Sequence, residues 1–93
     1  MQIQHQETQR GSEFFIERDG RHIAEITYQY QDDHTILADH TWVDLTLRGQ
    51  GVARQLLDIL VAFAREKQLK IVPVCSYVKT VFETDTQYAD VVA

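Results

Sequence analysis

Six consecutive residues, Arg48-Gly49-Gln50-Gly51-Val52-Ala53, have the makings of an anion cradle. Glycine turns the backbone tightly and keeps side chains out of the way of a bound phosphate. If a helix opens at Gly51, its first amides lack carbonyl partners and point outward, where the helix dipole favours negative charge. Ala53 keeps the first turn slim, and Arg48 adds a cation suited to a diphosphate. No Lys-Ser/Thr pair follows, so this is not a Walker loop, and the third glycine of a dinucleotide fingerprint is missing. The same residues would serve a tight loop that merely starts a helix, and that alternative stays open.

Two further side chains have chemistry near neutral pH. An imidazole's ordinary pKa lies in the working range for proton transfer, which makes His40 the candidate base. A strand histidine, partly exposed or bonded in the core, is the plainer alternative. Cys75 is the single cysteine. It fits a buried structural thiol, or a thiol at the carboxyl end of a parallel strand whose pKa a following helix start would lower. Tyr77 lies two residues on and fits an aromatic cap on the core. His22, His34 and His5 fall at a strand start, a turn and a loose lead-in. The histidines show no close ligand spacing such as His-x-x-x-His, and no metal is expected.

These residues need elements to position them. Residues 1 to 11 read as a ragged lead-in or a short first strand. Glu13 to Arg18 is strand-like, and Asp19-Gly20 is a strong hairpin signal. From Arg21 to Tyr30 the chain alternates, with His22, Ala24, Ile26 and Tyr28 on one parity. After a turn at Gln31-Asp32-Asp33, one strand is expected near Thr35 to Asp39 and another near His40 to Leu45, with a bulge or bend at Ala38-Asp39-His40. Gly51 to Lys67 then takes helical period: Val52, Leu56, Leu60, Phe63 and Ala64 make a stripe, with Arg54, Asp58 and Arg65 on the opposite face. Ile71 to Cys75 reads as a short strand containing Pro73, Tyr77 to Glu83 as a short helix, and Tyr88 to Val92 as a last strand or docked tail. Strand, helix, strand in this order predicts a right-handed parallel crossover. The fold class is therefore α/β (α+β): antiparallel N-terminal strands, then the crossover, then a short C-terminal helix.

Composition narrows the function. Ninety-three residues allow one domain, 1–93, with a modest core. A net charge of -5, spread along the chain, argues against a nucleic-acid partner. One cysteine excludes a disulfide within the chain, and the polar start MQIQHQETQRG carries no secretory signal, so a cytoplasmic location is expected. The apolar run Ile59 to Ala64 is far too short to cross a membrane. A monomer is the default, and a dimer through an edge strand stays open.

From His40 onward the chain resembles a known family. The loop Arg48 to Ala53 looks like the Arg/Gln-x-x-Gly-x-Gly/Ala signature of the Gcn5-related N-acetyltransferase superfamily. His40-Thr41-Trp42-Val43-Asp44 before it, and Leu69 to Val78 with its Pro-x-Cys segment after it, are similar to the small YjdJ-like subfamily. The resemblance implies a minimal fold of that family, with acetyl-CoA as cosubstrate. Its pyrophosphate would sit on Arg48, Gly49, Gln50, Gly51, Val52 and Ala53. Its pantetheine arm would lie in a notch where two parallel strands splay, facing Trp42, Val43, Asp44 and Leu45. Trp42 fits the core as well as the flank of that notch. The resemblance also implies a histidine at the place of His40, a cysteine near the acetyl group at Cys75, and a tyrosine, Tyr77, that protonates the departing thiolate. The chain is too short for the helices that larger members carry between their first strands, so its acceptor surface must be open or completed by a partner. The expected reaction is acetyl transfer to an amine of unknown identity. A CoA-binding module without turnover and a structural protein without cofactor are the alternatives.

Overall fold

The computed structural model describes residues 2–93. Five strands form one sheet in the order β1-β2-β3-β4-β5: β1 Gln4–Thr8, β2 Gly11–Arg18, β3 Arg21–Asp32, β4 Thr35–Val43 and β5 Lys70–Pro73. The first four pair antiparallel, and β4 pairs parallel with β5 after a crossover through helix α1, Val52–Lys67. A second helix, α2, covers Ser76–Thr84, and single 3-10 turns sit at Leu45–Leu47 and Thr86–Tyr88.

The β2–β3 hairpin closes on Asp19 and Gly20, both in the left-handed region at φ 53° and 77°. Two successive positive φ values are what a two-residue type I′ turn requires. Two bulges then set which residues share a face. On β3, Ala24 pairs with Ile16 but His22 pairs with Glu17, so Ile23 is the extra residue. On β4, His40 pairs with Thr27 but Ala38 pairs with Tyr28, so Asp39 is extra. Each extra residue reverses the alternation beyond it. His22 therefore leaves the face of Ala24, Ile26 and Tyr28, where simple parity put it. The expected break at residues 38–40 proves to be the bulge alone: the two strands anticipated around it are one strand, ending at Val43 rather than Leu45.

The core lies on one face of the sheet. Phe14, Ile16, Ile26, Tyr28, Ile36 and Ala38 meet Val52, Leu56, Leu57, Leu60, Val61 and Ala64 of α1, together with Val78 and Val81 of α2. The helical stripe is as expected, with Phe63 and Ala53 only partly covered, while Arg54 is half-buried rather than fully outward. The C-terminal tail docks along β5, where the Ile71 amide donates to Val91 O at 2.7 Å and the Ala93 amide to Ile71 O at 2.9 Å. The other face of the sheet carries Glu13, Phe15, Glu25, Thr27, His40 and Trp42. Among the described residues no helix is long and apolar enough to cross a membrane.

The two faces of α1 make a direct test. Leu60 is fully buried and Ile59 is 39% exposed. Leu60→Ala is expected to cost about 3 kcal/mol and to lower the thermal midpoint by more than about 10 °C, whereas Ile59→Ala should stay within about 0.5 kcal/mol. Denaturant titration of both variants measures the difference, and equal losses would overturn the assignment of faces.

Candidate functional site

The parallel ladder ends abruptly. β5 pairs with β4 only from Lys70 opposite Thr35 to Pro73 opposite Ala38. The carbonyl of Ala38 then accepts from both the Val74 amide, at 3.0 Å, and the Cys75 amide, at 2.8 Å. The chain turns off into α2, so Val74 and Cys75 lie outside the strand in which they were expected, and Cys75 is the residue that precedes the helix. β4 runs on to Val43, and among the described residues no strand pairs with it on that side. A notch opens between the strands, as the resemblance implied. Pro73 closes the last rung, where its missing N–H costs nothing further along.

At the far end of the notch a cavity of about 260 Å³ lies against the start of α1. Val43, Arg48, Gly49, Gly51, Val52 and Ala53 line it, as does Tyr77 from α2. Gly49 and Gly51 sit at φ 82° and 73°, a conformation that disfavours any residue with a Cβ. A Cβ on either would meet no atom within 4 Å, so the backbone conformation and not the free space selects glycine here. Gly51 precedes the helix without a side-chain cap, and the first helical bond runs from the Gln55 amide to Gly51 O at 3.1 Å. The amides of Val52, Ala53 and Arg54 are thus the orphans that an anion would satisfy.

Other expected members fall elsewhere. Trp42 points to the opposite face, 37% exposed, because neighbours on a strand alternate. Asp44 caps the 3-10 turn, accepting from the Thr46 amide at 3.0 Å. Leu45 is 74% exposed. Gln50 turns its amide back toward Thr46 O. None of these four lines the cavity. Arg48 lines it while donating from Nε to Val43 O at 3.2 Å.

Arg54, which helical period places on the face opposite the apolar stripe, also lines the cavity. Its Nε donates to the Tyr88 hydroxyl at 2.7 Å, its Nη2 pairs with Asp85, and the Tyr88 hydroxyl donates to Asp58 Oδ1 at 2.5 Å. A signal existed: a cation in the first turn of a helix opposes the dipole and needs an anion nearby.

Cys75 is half-buried, and its thiol donates to Thr41 Oγ1 at 3.4 Å. Burial pulls the thiol pKa up, but the Thr41 hydroxyl and the N–H groups of Val78, Tyr77 and Thr41 outweigh it and bring the thiol below its ordinary value. Burial, chiefly, raises the Tyr77 phenol, so it stays protonated at neutral pH. His40 does not join Cys75. Its ring lies on the other face, where Nε2 is 3.2 Å from Glu25 Oε2. Thr41, its neighbour, is the β4 side chain that touches the sulfur.

Residues 13–91 match the family model of the GCN5-related N-acetyl-transferases. The solution NMR structure of a GCN5-like protein from Staphylococcus aureus is 39% identical and superposes with a TM-score of 0.80, covering 99% of this chain and 87% of that one. Two larger crystal structures share the fold at lower identity. A ribosomal-protein-alanine N-acetyltransferase from Brucella melitensis biovar Abortus 2308 is 21% identical at a TM-score of 0.59, covering 82% of this chain and 63% of its own. An acetyltransferase from Elizabethkingia anophelis with acetyl-CoA bound is 19% identical at 0.60, covering 82% and 52%. No curated protein matches.

The electrostatics of Cys75 can be measured directly. The pH dependence of iodoacetamide alkylation should show a midpoint below that of an ordinary thiol. Thr41→Val, which removes the hydroxyl that donates to the thiolate, should move that midpoint upward. A midpoint at the ordinary value, or one unmoved by Thr41→Val, would contradict this account.

Proposed function

This chain belongs to the GCN5-related N-acetyltransferase family, and on that premise we propose that it transfers the acetyl group of acetyl-CoA to an amine. The observation that carries the reading is one continuous track. It starts at the uncapped first turn of α1, follows the free edge of β4, and ends at Cys75. The narrower YjdJ-like assignment rests on the resemblance alone.

In this reading the amides of Val52, Ala53 and Arg54 hold the pyrophosphate, with Arg48 and Arg54 supplying positive charge. The pantetheine arm takes the place of the missing strand beside Val43 and Thr41. Strand-like pairing suits it, because the edge of β4 offers main-chain groups that no strand satisfies. The thioester arrives beside Cys75, where the Thr41 amide that faces the sulfur can polarise its carbonyl. The amine approaches from the open face of the sheet. His40, held by Glu25, takes the proton of the attacking ammonium. The neutral nitrogen bonds to the carbonyl carbon, the carbon–sulfur bond breaks as Tyr77 gives its proton to the departing thiolate, and the second proton shed by the acylated nitrogen returns Tyr77 to its neutral form. Since Thr41 and not His40 touches Cys75, direct transfer fits better than an acyl-cysteine step.

Acetyl-CoA titrated into the labelled chain should move the amides of Gly49 to Ala53 most, followed by those of Thr41, Val43 and Cys75. Shifts confined to the β2–β3 hairpin would sink the reading. Arg48→Ala should weaken binding roughly ten-fold, about 1.4 kcal/mol. Release of free CoA thiol over a panel of amines then separates an enzyme from a module that only binds. Mass spectrometry after incubation with acetyl-CoA asks whether Cys75 becomes acetylated, and direct transfer predicts that it does not.

A further inference from the structure

We propose that the open face of the sheet carries a binding site for a divalent transition metal, built from Glu13, His22 and Glu25, with His40 at its margin. His22 Nδ1 lies 3.0 Å from Glu25 Oε1 and 3.4 Å from Glu13 Oε1. All three donor atoms fall within 4.8 Å of one another. Ligands placed about 2.1 Å from a metal sit roughly 3.0 Å apart at right angles and roughly 3.4 Å apart at tetrahedral corners. The two separations from His22 Nδ1 fall at those values. One imidazole nitrogen with two carboxylates is a donor set for zinc, manganese or iron.

The bulges assemble the set. His22 and Glu25 are three residues apart, and a regular strand would send them to opposite faces. The extra residue Ile23 brings them to the same face. Glu13 joins from β2, diagonal to Glu25, since Glu13 pairs with Thr27 and Phe15 with Glu25. On β4 the bulge at Asp39 sets His40 opposite Thr27, with Nε2 3.2 Å from the second oxygen of Glu25. Two separate bulges thus converge two imidazoles on one carboxylate, as bulges do where a side chain must be re-aimed.

The site is also held and shielded. The Phe15 ring stacks on His22, 4.2 Å between centroids and 14° from parallel, and so holds the imidazole plane. The His22, Glu13 and Glu25 side chains are only 29%, 19% and 23% exposed. His22 Nδ1 carries at most one hydrogen, yet two carboxylate oxygens approach it. That hydrogen cannot serve both well, whereas a divalent ion in its place would bind all three donors and offset the repulsion between the carboxylates. The loop cavity uses none of Glu13, His22 and Glu25, so the proposal stands apart from acetyl-CoA binding, while Glu25 is shared with His40, the base of the proposed reaction.

Titration of the intact chain with Zn²⁺ and Co²⁺ tests it, read by histidine side-chain nuclear magnetic resonance and by cobalt absorption. One ion per chain should bind, shifting the His22 ring nitrogens and the amides near Glu13 and Glu25. His22→Gln and Glu13→Gln should each weaken binding at least about ten-fold, with α1 amides unmoved as the control for folding. If His22→Gln fails to fold, Glu13→Gln decides alone. The proposal is overturned by no binding at roughly millimolar metal, by affinity that survives both substitutions, or by a thiolate-to-cobalt band that puts the ion on Cys75.

Discussion

The carbonyl of Ala38 is the pivot of this molecule. By accepting from two successive amides, those of Val74 and Cys75, it closes the parallel ladder and lets the chain leave the sheet. A regular parallel pair would have continued, and the edge of β4 from Asp39 to Val43 would have been consumed by a strand. Instead that edge stays free, and Cys75 stops at its margin with α2 behind it. The helix start then supplies amides to the sulfur, and Thr41 reaches it from the free edge. Notch, thiol environment and cavity mouth all descend from one doubly used acceptor.

The bulges divide labour between the two faces. Beyond Ile23 and Asp39 the alternation of β3 and β4 reverses. The core face keeps Ala24, Ile26, Tyr28 and Ala38 under α1, while His22, Glu25 and His40 gather on the open face. Among the described residues both helices pack on the core face and neither covers the second one. Side chains there need only satisfy one another, and Phe15 is covered by the His22 ring rather than by the core.

The cavity is fastened from a distance in sequence. Arg54 sits where the helix dipole disfavours a cation, and the Tyr88 hydroxyl, Asp85 and Asp58 compensate it. The same contacts anchor the segment after α2 against α1. Arg54 is therefore held at the cavity rather than sweeping through solvent, at the cost of linking the mouth of the site to the tail of the chain.

Local chemistry was legible in the sequence. Asp19-Gly20 dictates its turn because few other pairs accept two positive φ values, Gly49 and Gly51 mark a loop for the same reason, and the apolar stripe of α1 follows from helical period alone. The family was legible too, from the loop and the Pro-x-Cys segment together. Partnerships across strands were not. Periodicity put His22 with Ala24 and suggested two strands where β4 is one, because one inserted residue shifts every later side chain and only the register with the neighbouring strand shows where it lies. The separation of His40 from Cys75, the recruitment of Arg54 by Tyr88, and the outward turn of Trp42 and Leu45 are likewise decided by packing between residues far apart in the chain. Sequence determines the elements and their turns, which depend on neighbours along the backbone; the tertiary structure alone decides which side chains meet, since that depends on where strands begin, bulge and part.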